Sequence, residues 1–211
     1  MANTDWFRQS EWTARTSGEF FERLRRSRDK PQYLKVQAYT LQKAGHPEAA
    51  IELADYFFEH HPDPMWASSM HLFKALALAA LGRDDSAVEE FRLAVQAERD
   101  FPNVGTDGWL DFGEHVVRRH LHQLYGEILE LLAEFQQHHS LVFPVQRFRF
   151  YAVQALIHEA LGNEPRARQL ATDALEAAAA FTSGIARHPS LGLVTGHRSE
   201  LLDRVSRLAS S

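Results

Sequence analysis

Cysteine is absent from this chain of 211 residues, so the protein can form no disulfide and no thiolate-based site. Nothing in the sequence therefore requires an oxidising compartment, and we expect a cytoplasmic protein. No apolar run approaches the roughly 20 residues of a membrane-spanning helix. Residues 1–12 lack the basic start and apolar centre of a signal peptide. These absences predict a protein that does not act at a membrane.

An excess of positive charge is absent as well. The chain has 23 Lys and Arg against 28 Asp and Glu, which gives a net charge of -5 at pH 7. As a whole it should not attract nucleic acid or anionic lipid. The apolar fraction of 45% and charged fraction of 24% are ordinary for a globular protein. We predict a single domain over residues 1–211, which is long enough for a sizeable core.

What the sequence does contain is a helical hairpin at residues 31–62. Apolar residues recur at helical spacing in both halves, and Gly45 marks the turn between them. Pro62 ends the second helix, because proline cannot continue a helix. A lone hairpin of this size would leave its apolar face in water, so other segments must stack against it.

Further copies of this hairpin supply those segments. They occupy residues 68–99, 106–138 and 148–182. The second and fourth copies repeat the glycine of the turn, at Gly82 and Gly162. The third is divergent, since His120 stands where the others have glycine.

The small residues of these copies fall at fixed positions. With Pro31 as position 1, positions 8, 15, 20 and 32 are Ala38, Gly45, Ala50 and Pro62. This pattern resembles the tetratricopeptide (TPR) repeat. The resemblance implies an all-α, right-handed α-solenoid of about four TPR-like helical hairpins. An N-terminal anchor and helix at 1–30 would precede them, and a C-terminal loop and capping helix at 183–211 would follow.

Three short motifs carry a second resemblance. They are Asp5–Arg8 together with Trp12, then Phe101–Asn103, and finally Ser183–Val194. Together they are similar to a family of small bacterial TPR-like proteins. That resemblance supports the fold and brings no activity and no catalytic residue.

The N-terminal segment has its own signals. Thr16 and Glu19 have the spacing of a capping box, which predicts a helix that starts after Thr16 and runs through Leu24. A basic cluster lies near the end of that helix, at Arg23, Arg25, Arg26, Arg28 and Lys30. The cluster is typical of a solvated helix end that suits the helix dipole, with a patch for phosphate or an acidic partner as the alternative.

In TPR arrays, four positions of each first helix line the concave groove. The resemblance assigns the partner-binding groove here to Lys35, Tyr39, Gln42, Ser69, Leu72, Leu76, Asp107, Leu110, Glu114 and Arg149. A groove of this mixed character suits a peptide or a partner helix with apolar anchors. Alternatively, Leu72, Leu76 and Leu110 are core residues and the register is shifted by one.

These observations predict a non-catalytic module that binds a peptide or partner protein of unknown identity. It would act as an adaptor or assembly factor, or as an immunity-type partner that neutralises a toxin. No nucleophile elbow, phosphate loop or dinucleotide fingerprint occurs, so we expect neither an enzyme nor a cofactor. A clamp for a chaperone's terminal carboxylate is not supported, because Tyr39 replaces the asparagine that would accompany Lys35. Homodimerisation through the groove or the end caps stays open.

Two alternatives come from other residues. A nucleic-acid-binding helical-repeat protein would use the basic cluster with Arg118, Arg119, Arg147 and Arg149. The net negative charge disfavours it. A metalloenzyme would use the histidines His115, His120 and His122. On one continuous helix the first and last of these share a face, but the spacing of a zinc-binding helix is missing, so we predict no metal site.

Overall fold

The computed structural model of the chain describes residues 5–138, 140–183, 185, 187–194 and 199–210. Every regular element in these residues is helical, which confirms the predicted all-α class. The helices are α1 (Ala14–Arg26), α2 (Lys30–Ala44), α3 (Pro47–His60), α4 (Pro64–Ala80), α5 (Asp84–Asp100), α6 (Gly108–Arg118), α7 (Tyr125–His138), α8 (Pro144–Ala160), α9 (Glu164–Ala178) and α10 (Ser199–Ala209), with a 3-10 turn at His122–Leu124 before α7. Among these, none is both long enough and apolar enough to cross a bilayer.

The chain divides into two compact units, residues 1–108 and 109–211. Whether these units form the single domain that the sequence predicts depends on how they are arranged, so the single domain stays a prediction.

In the first unit, helices that follow each other along the chain pack together as hairpins. Helix α2 packs on α3 and α4, and α4 packs on α3 and α5. Gly45 and Gly82 turn the chain between the paired helices with φ angles of 82° and 71°. That left-handed conformation is open to glycine because it has no Cβ. Close helix contact is made by alanines that are fully buried, namely Ala38, Ala50, Ala54, Ala75 and Ala87.

The N-terminal segment packs on α1 and α2 through aromatic rings. Trp6 lies 4.9 Å from Tyr33 and 5.5 Å from Phe20, measured between ring centroids. The amide of the fully buried Gln37 exchanges two hydrogen bonds with the backbone of Gln9, at 2.9 and 2.7 Å. These contacts satisfy a buried polar group and fix the segment to the first hairpin.

Helix α1 starts earlier than the sequence predicts. Thr13 is its N-cap and forms a capping box with Thr16. The predicted box of Thr16 and Glu19 is wrong, because the Glu19 carboxylate instead accepts a hydrogen bond from Arg15 at 3.0 Å.

Helices α4 and α8 also start before the predicted repeats at 68 and 148. Each begins at a proline, Pro64 or Pro144. Proline suits the first helical position because the amide hydrogen it lacks would have no helical partner there. Asp63 caps α4 by accepting a hydrogen bond from the Met65 amide at 3.0 Å. The two repeats therefore begin about four residues earlier than predicted.

In the second unit, α8 pairs with α9, and α10 packs on both. Gly162 turns the chain between α8 and α9 at a φ of 75°. Helix α10 lies within the C-terminal segment at 183–211, in which the sequence predicts a helix. Gly113 of α6 lies against Val153 of α8 and Ile128 of α7, so it marks a close helix approach.

The third predicted hairpin turns at His120. Its φ is 53°, in the left-handed region that favours glycine. Helix α6 ends at Arg118, and His122 begins the 3-10 turn, where its ring stacks on Tyr125 at 5.0 Å. A turn therefore separates His115 from His122, so these two histidines do not share the face that one continuous helix would give them.

The predicted C-terminal loop, which starts at residue 183, is described in part. Gly192 accepts a hydrogen bond from the Val145 amide at 2.8 Å, and Pro189 accepts one from the Ser183 amide at 2.8 Å. Gly184, Ala186 and residues 195–196 lie outside the described residues, as does His139, the residue after α7.

Candidate partner-binding surface

Two side-chain pairs join α2 to α4. The Lys35 ammonium lies 4.5 Å from the centroid of the Trp66 ring, and the Tyr39 ring lies 5.3 Å from that of Phe73. The pairs occur in the same order along both helices, so α2 and α4 run side by side in the same direction. We call the surface formed by Lys35, Tyr39, Trp66 and Phe73 the α2–α4 face.

The sequence of α2 explains why this face is partly exposed. Leu34, Ala38 and Leu41 are fully buried and form the core side of the helix. The predicted residues Lys35, Tyr39 and Gln42 follow at spacings of four and three, which places them on the adjacent stripe. The Tyr39 side chain is 46% exposed, although its ring rests on Phe73.

Helix α4 carries three of the predicted residues. Ser69 and Leu72 are buried, and Leu76 is half-buried. Leu72 thus lies with the core, in line with the alternative that the sequence leaves open. Met65, at the start of α4, is 44% exposed. The exposed residues of this helix lie at its two ends, at Pro64, Met65 and Ala80.

Burial affects the charge on this surface. The pKa of Lys35 is lowered because its ammonium is partly removed from water. The ring face of Trp66 partly offsets that loss by cation–π attraction.

Sequence reasoning missed Trp66 and Phe73. Trp66 precedes residue 68, the predicted start of the second repeat. Groove positions are assigned only within the repeats, so Trp66 is not among them. The signal that could have found it is Asp63-Pro64, an N-cap followed by a proline at the first helical position.

The predicted residues of the second unit lie in its interior. Leu110 is fully buried, and Arg149 is 2% exposed between two carboxylates. Its Nη2 lies 2.5 Å from Asp111 Oδ1, and its Nε donates to Glu114 Oε1. The two acids of α6 therefore neutralise Arg149 of α8 and hold these helices together. Glu114 and Arg149 have no free charge to offer a partner.

Asp107, the remaining predicted residue, is half-buried in the loop after α5. The neighbouring Thr106 amide donates to Glu98 Oε1, and the Thr106 hydroxyl accepts from the Gly108 amide at 3.0 Å. Burial raises the pKa of Glu98, and the charge of Asp107 raises it further, against the hydrogen bonds from Thr106. This arrangement ties the loop to α5.

The histidines do not assemble a metal site in the part of the chain that the structure describes. No three His, Asp or Glu side chains converge there in a way that could hold an ion. His115 is buried, whereas His120 and His122 are exposed.

Comparison of the chain with protein-family models, with curated proteins and with solved structures finds no match.

Proposed function

We propose that this protein is a non-catalytic binding module that holds a peptide or an amphipathic helix of a partner protein on the α2–α4 face. The observation that carries this proposal is the exposed Tyr39, held by Phe73 beside the Lys35–Trp66 pair. Aromatic residues with fixed orientation supply much of the binding energy at protein interfaces. They also lose little conformational freedom on binding, since contacts already restrain their rings.

The proposed ligand follows from the chemistry of this face. The exposed ring of Tyr39 offers apolar contact, and Lys35 offers one positive charge. A partner segment with an apolar anchor and a nearby carboxylate would satisfy both.

A TPR-like solenoid is part of the proposal. It is supported by the glycine turns at 45, 82 and 162, by fully buried alanines where helices cross, and by the parallel course of α2 and α4. By analogy with such arrays, the biological setting would be an adaptor or assembly factor, or an immunity-type protein that neutralises a toxin. We propose a cytoplasmic location for it.

One of the arginines that nucleic-acid binding would use is not accessible to a nucleic acid. Arg149 is buried and paired with Asp111 and Glu114, so its charge is not available to a phosphate. Protein binding therefore has the stronger support.

Site-specific photocrosslinking in the native host tests the proposal. A photoreactive phenylalanine analogue replaces Tyr39 in one strain and Leu93 in another. Leu93 of α5 is a matched control because it is 47% exposed, close to the 46% of Tyr39. We expect a discrete protein adduct from position 39 and none of that mass from position 93.

The partner protein identified in the adduct is then purified, and measurements of its affinity for variants of this chain complete the test. We expect Tyr39→Ala to weaken affinity by tenfold or more, which corresponds to roughly 1.4 kcal/mol. Lys35→Glu should weaken it comparably, and Leu93→Ala should leave it unchanged. The α2–α4 face would be ruled out as the binding site by equal yields of the same adduct at positions 39 and 93. Unchanged affinity in both Tyr39→Ala and Lys35→Glu would rule it out as well.

A further inference from the structure

A separate recess lies in the first unit, between α1 and the ends of α2 and α3. Its volume is about 550 Å³, within the range of small-molecule sites. The residues that line it are Gly18, Phe21, Glu22, Leu24, Arg25, Lys30, Tyr56 and His61.

Positive side chains line this recess, namely Arg25, Lys30 and, when protonated, His61. Arg25 pairs with no carboxylate in the described residues, and Lys30 Nζ donates to the Ser27 carbonyl at 2.9 Å. The acidic residue of the described lining is Glu22, whose carboxylate lies 2.9 Å from Arg26 Nη2. Its charge is thus already balanced, and Arg25 and Lys30 leave an excess of positive charge. An anion is the ligand that such a site favours.

An aromatic wall stands beside these cations. The Phe21 and Tyr56 rings meet edge-to-face at 5.1 Å, and Tyr56 also contacts His60 at 4.4 Å and His61 at 5.8 Å. Phe21 and Tyr56 are both only half-buried. They offer a planar ring a surface on which to stack.

We propose that this recess binds a small phosphate ester that carries a planar ring, of the size of a mononucleotide. The phosphate faces Arg25, Lys30 and His61, and the ring lies against Phe21 and Tyr56. The Arg25 guanidinium can hold two phosphate oxygens at once, so it can fix the orientation of the phosphate as well as its charge. The site is distinct from the α2–α4 face, so either can fail its test without the other.

Binding in this recess is linked to protons through His61. Burial lowers the pKa of His61, and the charges of Lys30 and His60 lower it further. Arg25 of α1 also faces the recess, while the Glu22 carboxylate is paired. A bound phosphate offsets this repulsion and raises the pKa, so binding takes up a proton. Affinity should therefore rise as the pH falls towards the range in which His61 becomes protonated, and His61→Gln should flatten that dependence.

Calorimetric titration of the full chain with adenosine monophosphate, inorganic phosphate and adenosine tests the proposal. We expect the monophosphate to bind more tightly than inorganic phosphate, and adenosine to bind least. Arg25→Gln should weaken binding of the monophosphate about tenfold or more, in line with loss of a charge-assisted contact.

Arg28→Gln is the matched control. Arg28 belongs to the same basic cluster and is exposed, but it does not line the recess. This variant removes the same charge and should bind almost normally. If it loses as much affinity as Arg25→Gln, diffuse attraction carries the binding and the proposal is overturned.

Gly18→Phe tests the recess by filling it. Gly18 lines the recess, and a Cβ built there meets no atom within 4 Å, so a side chain can be attached at this position without a clash at its first carbon. We expect binding to be lost while the thermal unfolding midpoint is retained. Retained binding in this variant would contradict the proposal. So would equal affinity for adenosine, no heat with the monophosphate at millimolar concentration, or tighter, salt-sensitive binding of a single-stranded oligonucleotide.

Discussion

The buried guanidinium of Arg149 pairs with the carboxylates of both Asp111 and Glu114 inside the second unit. Arg149→Met would keep much of the side-chain volume but leave two acids without their buried cation. We expect a loss of about 3–5 kcal/mol in the free energy of unfolding, because uncompensated buried charge is costly. Urea unfolding at pH 7 measures this loss.

The control for this prediction is a triple variant, Arg149→Met with Asp111→Asn and Glu114→Gln. It removes both signs of charge and should recover part of the stability. A single variant that is no less stable than the triple one would contradict the argument.

Glu98 gives a pH-dependent prediction. Burial raises its pKa in the folded protein, so the folded state holds a proton more tightly than the unfolded state. The corresponding stability is complete below the ordinary pKa of a glutamate and is lost as the pH rises through the raised value. Glu98→Gln keeps an oxygen to accept the Thr106 amide and carries no charge. It should be more stable than the wild type at pH 8, and the difference should shrink towards pH 4.

Denaturant unfolding over this pH range checks the sign. Glu89→Gln serves as a control on the same helix, since Glu89 is exposed and pairs with Arg92 at 3.1 Å. If the free energies of unfolding of Glu98→Gln and the wild type differ by the same amount at every pH, protonation of Glu98 does not contribute to stability as argued.

At the scale of helices, we expect the substitution of glycine by alanine to have opposite effects on stability at Gly18 of α1 and at Gly113 of α6. Gly18→Ala should stabilise the protein by about 0.5–1 kcal/mol, because alanine favours a helix and its Cβ meets open space. Gly113→Ala would place a Cβ 3.0 Å from Val153 Cγ1, in a fully buried contact between α6 and α8. Overpacking there should cost about 1–3 kcal/mol.

Thermal unfolding of the two variants measures both effects. A rise in midpoint for Gly113→Ala equal to that for Gly18→Ala would show that α6 and α8 do not meet closely at this point.

Helix positions could largely be predicted from the sequence, because each helix repeats its apolar residues at a regular spacing. Glycines 45, 82 and 162 marked the turns correctly, and His120 took the same left-handed conformation in the divergent copy. Helix starts were less predictable, since Pro64 and Pro144 can either begin a helix or interrupt one.

The candidate site was harder to predict than the fold. Its register depended on an idealised repeat, whereas α4 extends back to Pro64 and brings Trp66 against Lys35. The pairing of Arg149 with Asp111 and Glu114 joins positions far apart in the sequence. Helical spacing within one segment carries no information about such a contact.

At the scale of the whole molecule, the charge balance predicts how solubility varies with pH. The net charge is -5 at pH 7, and the isoelectric point calculated from the sequence is about 6.2. Mutual repulsion between molecules should therefore vanish slightly below neutrality. We expect a solubility minimum near pH 6.2, measurable by light scattering of the purified protein. A minimum well above pH 7 would contradict this prediction.

The glycine turns also have a consequence for chirality. Gly45 and Gly162 have φ angles of 82° and 75°, and at both positions the space for a Cβ is open. An L-alanine there would meet the backbone strain of the left-handed region, at about 1–2 kcal/mol per site. A D-alanine, introduced by chemical ligation, has the mirror-image preference and would also restrict the unfolded chain. At these two turns the protein should therefore accept the enantiomer that its ordinary helices exclude.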